Sequence, residues 1–201
     1  MSGASSVTER RSFLKRLMDR RLALVALIVF VLIAALCLAA PWIAPYEFDA
    51  IDLASRQQGP SWKHWLGTDE LGRDLLTRLL YGGRISISIG VFSALLATAV
   101  GTLVGAVAGY FGSYTDEGLM RFTDVAYAIP ALPLLIVLSS FWPATLASMA
   151  IIIGLLSWMG TARAVRSEVL SIREQTYVEA ARSIGAKHGR IIWRHILLLL
   201  P

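Results

Sequence analysis

Three long stretches without a formal charge dominate this chain: Leu22 to Tyr46, Ile85 to Thr115 and Val125 to Ala162. A hydrocarbon core of about 30 Å is crossed by about 20 apolar residues, and a helix satisfies every backbone group within one such segment. The third stretch, drawn out as a single helix, would reach about 57 Å, nearly twice that core. It therefore has to turn back, and Trp142-Pro143 near its middle is the break. The reading is an all-α polytopic membrane protein with four complete spans, at 22–46, 85–110, 121–141 and 144–162. Apolar residues make up 56% of the 201 and charged residues 16%, a surplus that a water-soluble core would not need.

The charges orient the spans. Residues 1–21 hold Arg10, Arg11, Lys15, Arg16, Arg20 and Arg21 against Glu9 and Asp19. Seven basic residues between Arg163 and Arg194 face only Glu168, Glu174 and Glu179. By the positive-inside rule both segments are cytoplasmic, which demands an even number of spans between them. Four meets that parity. The first apolar run exceeds the 7–15 residues of a signal-peptide core, so it is read as a span. Trp42 and Tyr46 mark its far interface, and Pro41 and Pro45 close it. The net charge of +5 lies beside apolar runs, a pattern of membrane orientation rather than nucleic-acid binding.

Residues 47–84 read as an extracytoplasmic loop. Its first part, 47–65, is irregular, and Leu71 to Tyr81 carries a helical apolar stripe suited to lying on the membrane surface. Leu66 to Asp74 is not a phosphate loop, since no Lys-Ser or Lys-Thr follows it. Within the second span, Ala97, Gly101, Gly105 and Gly109 recur every four residues, and Ser86, Gly90 and Ala94 do so earlier. Small residues in that register let another helix approach backbone to backbone. Asp116 to Asp124 reads as a polar break with Arg121 and Asp124 paired at a helix entry. Pro130 and Pro133 should loosen the third span.

The loop 163–190 contains one sharply bounded polar helix, Thr176 to Gly185. Thr176 and Glu179 have the spacing of a capping box. Val178, Ala181 and Ile184 form an apolar stripe, and Gly185 stands where a left-handed helix stop is wanted. A fifth apolar run begins near Ile191 and reaches Pro201, too short to cross a bilayer, so the chain is expected to stop in mid-element.

Catalytic patterns are missing: there is no Walker loop, zinc-protease helix or paired metal-ligand cluster. His64, His188 and His195 read as isolated, and Cys37, the sole cysteine, reads as a small hydrophobe. An enzyme site on this chain is not expected, nor a metal.

Glu179-Ala180-Ala181, followed after three residues by Gly185, resembles the Glu-Ala-Ala loop of permease subunits of bacterial type I ATP-binding-cassette importers. Trp65 to Asp74, Gly82 to Gly90 and Arg190 to Leu197 are similar to the oligopeptide/dipeptide (nickel) branch, so the resemblance runs from about residue 22 to residue 197. It departs from the general pattern downstream of the glycine, where His195-Ile196-Leu197-Leu198 stand and proline is delayed to Pro201. The resemblance implies an importer for peptides or similar small solutes in the bacterial inner membrane. Its partners would be a second permease subunit, two cytoplasmic ATPase subunits that hold ATP and magnesium, and a periplasmic substrate-binding protein. It further implies that Thr176, Glu179, Ala180, Ala181, Arg182 and Gly185 form the ATPase-docking helix. Two other functions remain open: an ion-coupled secondary transporter, or a membrane assembly or anchor subunit.

Overall fold

Prolines and charges cut the apolar runs into helices. A computed structural model describes residues 21–143, 145–183 and 185–193, which divide between two compact units, Met1–Ile87 and Ser88–Pro201. Apart from residues 191–193, the expected fifth-span start lies outside the described residues, as do His195 and Ile184.

In the first unit, α1 (Arg21–Leu38) is apolar on all sides, and Leu22, Phe30 and Leu32 stay more than half exposed. Such a surface belongs in lipid. Pro41 opens a single helical turn, α2 (Ala40–Ile43). Cys37 is buried where Gly83 has no side chain; a Cβ on Gly83 would stand 3.3 Å from the Cys37 Cβ. The connection that follows is built by hydrogen bonds. Thr68 Oγ1 donates to the Ser55 carbonyl and accepts from the Gln58 amide. Asp69 accepts from the Leu71 and Arg73 amides and from Arg73 Nε. Asp74 accepts the Thr77 amide at 2.8 Å, capping the next helix, and pairs with His64 Nδ1 at 3.0 Å. His64 is thus not isolated: it also stacks on Tyr46, whose hydroxyl donates to the Lys63 carbonyl.

The helix capped by Asp74, α3 (Leu75–Phe111), runs for 37 residues, about 56 Å. The separate surface helix and the span start at 85 are therefore corrected. Nothing between Tyr81 and Ile85 interrupts the backbone ladder, since glycine weakens a helix without removing a donor, and the stripe at 71–81 is mostly the N-terminal end of this one helix.

In the second unit the chain reverses at Gly112 (φ +64°) into α4 (Ser113–Ala128). The expected polar break at 116–124 lies inside this helix, with its charges spent on pairing. Ile129 is extended ahead of Pro130, as a pre-proline residue prefers. Then α5 (Ala131–Phe141) leaves at 82° to α4. Pro130 breaks the third span rather than loosening it, while Pro133 falls in the first turn of α5, where an amide is not needed. Trp142-Pro143 make the return, and a reciprocal Thr145–Ser148 capping box starts α6 (Leu146–Arg173). This helix continues eleven residues past Ala162, the expected end of the fourth span, because the arginines beyond that point find partners on its neighbours. Two short helices follow, α7 (Thr176–Ser183) and α8 (His188–Ile191). Helices α1, α3 and α6 are each long and apolar enough to cross a membrane, and the bent pair α4–α5 is a fourth if taken as one span.

Candidate functional site

The α3–α6 contact underlies everything near the loop helix. A Cβ on Gly101 would stand 2.7 Å from the Trp158 carbonyl oxygen, one on Gly105 2.9 Å from Val165 Cβ, and one on Gly109 2.9 Å from Val169 Cβ. Ala97 is buried with Trp158, Met159 and Ala162 on the same seam. The earlier register ends differently: Ser86, Gly90 and Ala94 are exposed, and a Cβ on Gly90 would meet nothing within 4 Å. Gly154, absent from the sequence reading, receives Leu96 in the same manner.

Charged side chains then fasten the helix ends. Arg166 on α6 grips Asp116 on α4 through both Nε and Nη2. Arg163 donates to Asp124 at 2.7 Å and lies over the Tyr127 ring at 4.6 Å. The expected Arg121–Asp124 pair is thereby corrected, for Arg121 reaches Glu117 instead, on the same face one turn earlier. Arg173 donates to the Gly109 carbonyl at 3.0 Å, closing the turn at Gly112.

Helix α7 rests on this frame. Val178 is fully buried and Ala181 nearly so, in a cluster with Ala106, Tyr110, Val169 and Ile191. Ala181 is therefore a packing residue of its own subunit and not part of an outward face. That face carries Thr176, Tyr177, Glu179 and Ala180, all exposed. The Arg182 side chain lies outside the described residues. The Thr176–Glu179 capping box is also corrected. The Glu179 and Val178 amides both reach the Gln175 carbonyl, at 3.3 and 2.9 Å, so Gln175 is the cap and Thr176 already the first helical residue. At the other end Gly185 has φ +78°, and the Ala186 amide donates to the Ala181 carbonyl at 3.1 Å. That six-to-one bond across a left-handed glycine is a Schellman stop. Beyond it His188 Nδ1 lies 2.8 Å from the Tyr110 hydroxyl, with the two rings edge to face. Among the described residues no three metal-ligating side chains converge.

Residues 101–199, which include this whole arrangement from Gly101 onward, match the model of the binding-protein-dependent transport system inner membrane component. Residues 8–60 match the N-terminal transmembrane domain of oligopeptide transport permease C. Two separate stretches of the chain are thus similar to inner-membrane permeases of this kind. The chain is 38% identical over 182 residues to the oligopeptide transport system permease protein OppC of Bacillus subtilis, covering 90% of this chain and 60% of the relative. It is 36% identical over 193 residues to the dipeptide transport system permease protein DppC of Alkalihalophilus pseudofirmus, covering 96% and 64%. A glutathione transport system permease protein, GsiD of Pectobacterium atrosepticum, is 36% identical over 191 residues, covering 94% and 64%. The chain thus spans about 60% of the length of the curated relatives it matches.

Proposed function

We propose that the chain is a membrane-spanning subunit of an ATP-driven importer of peptides or similar small solutes, and that α7 is the element gripped by a cytoplasmic ATPase. The carrying observation is the two-sidedness of α7: Val178 and Ala181 are sealed into the subunit while Thr176, Tyr177, Glu179 and Ala180 stand outside. In this reading hydrolysis takes place on the two ATPase subunits, which hold ATP and magnesium. A second permease subunit completes the pathway, and a periplasmic binding protein delivers the solute. Closure of the ATPase pair drives the loop helices together and turns the permease pair from inward- to outward-facing. The N-terminus and residues 163–190 then lie in the cytoplasm. Names of relatives that carry oligopeptides, dipeptides and glutathione support peptides as the solute class.

The test is capture of the ATPase by the complete permease assembly in detergent. Ala180→Trp and Glu179→Arg should each lower the amount captured by about tenfold or more, the equivalent of about 1.4 kcal/mol, with membrane insertion unchanged. Normal capture and normal transport in both variants would refute the docking assignment. Transport that persists without ATP would instead favour an ion-coupled carrier.

A further inference from the structure

A gripped helix does work only if it cannot pivot on its own subunit. The chain attaches α7 through the Glu174-Gln175 turn on one side and the Gly185 turn on the other. The apolar seat of Val178 and Ala181 resists withdrawal, but apolar contact is non-directional and permits sliding. Directional attachment comes from elsewhere. The Tyr110 hydroxyl meets His188 Nδ1 at 2.8 Å, tying the last turn of α3 to the first residue of α8 across 78 positions of sequence. Tyr110 itself is buried in the cluster that seats α7, and Phe111 flanks the same imidazole with ring centroids 5.9 Å apart. Arg173 holds the Gly109 carbonyl next to it.

We infer that the Tyr110–His188 hydrogen bond is a transmission clasp, which makes α7 move as one body with α3 and so converts displacement of the loop helix into displacement of a span. The inference rests on the docking reading of α7 and adds two positioning residues to it, neither on the outward face. Without the clasp, α7 still presents Glu179 and Ala180 to the ATPase, but its motion is lost partly as rocking about its two turns.

The experiment compares Tyr110→Phe, His188→Ala and His188→Asn in the complete assembly with its ATPase, reading ATPase capture, ATP hydrolysed and solute moved per ATP. Tyr110→Phe and His188→Ala should capture the ATPase as the unaltered protein does, yet move at least about twofold less solute per ATP. His188→Asn, which keeps a hydrogen-bonding atom at the Nδ1 position, should recover most of the ratio. In the same proteins, hydrogen exchange of the amides at 186–191 should quicken by about fivefold in Tyr110→Phe, the worth of one net hydrogen bond. An unchanged ratio of solute to ATP in both disrupting variants overturns the clasp. Loss of ATPase capture in those variants also overturns it, because the pair would then be building the docking surface. If the unaltered permease fails to capture an ATPase, the docking reading falls and takes the clasp with it.

Discussion

Gly109 on α3 lies so close to Val169 on α6 that a methyl group added to it would stand 2.9 Å from both the Cβ and the Cγ1 of that valine. The two helices touch through backbone at three glycines spaced four residues apart.

Filling one of these steps should force the helices apart. Gly105→Val is expected to destabilise the folded protein by about 1–3 kcal/mol, the range for overpacking a close contact. Gly90→Val, at a position with open space around it, should cost far less. Thermal unfolding of the two variants in one detergent measures the difference, and equal midpoints would show that the seam is not tight.

The Arg166–Asp116 pair is mostly buried, with side-chain exposures of 34% and 16%. Asp116→Asn leaves a guanidinium without its counter-charge and should cost about 2 kcal/mol. Arg166→Gln should cost a similar amount, and the double variant clearly less than the sum, because neither charge is then left alone. A double-mutant cycle on unfolding reads the coupling directly; additive losses would mean that the two side chains are independent.

The connection between α2 and α3 should be acid-labile. Hydrogen bonds from the Ser55 hydroxyl and the Ala54 amide hold Asp52 below the ordinary carboxylate value of 3.8. Burial pushes Asp69 and Asp74 upward, but it is outweighed in Asp69 by the Arg73 and Leu71 amides and the Arg73 guanidinium, and in Asp74 by Thr77 and His64. A carboxyl depressed in the folded state stabilises it fully above the unfolded value and loses that contribution as pH falls through the folded value. Pepsin cleavage within residues 47–74 should therefore rise as pH drops below 3.8. A cleavage pattern that stays flat across that range would contradict the carboxylate network.

Much of this was legible in the residues themselves. Charge-free runs coincide with helices long and apolar enough to cross a membrane, the spacing of Ala97, Gly101, Gly105 and Gly109 singled out one helix face, and Gly185 marked the end of α7. What was not legible depended on distance or on competition. Asp124 had an arginine one turn away at Arg121, yet it pairs with Arg163, 39 residues later. Tyr110 and His188 gave no local signal because they meet only after α3 and α6 pack. Thr176 had the residue type of a cap, but the helix begins one residue earlier than a box at that position allows. The single break at Pro130 could not be told from a kink, since both follow from the same missing amide.

In the proposed docking, α7 shows one face to an ATPase and keeps the other for its own subunit. Cysteines placed singly at Ala180 and at Val178 test it in the complete assembly, against a background in which Cys37 is buried. The Ala180→Cys variant is expected to cross-link to the ATPase and to be protected from an impermeant thiol reagent added outside intact cells, while Val178→Cys gives no cross-link. Labelling of the Ala180→Cys variant from outside, or cross-linking through Val178→Cys alone, would contradict it.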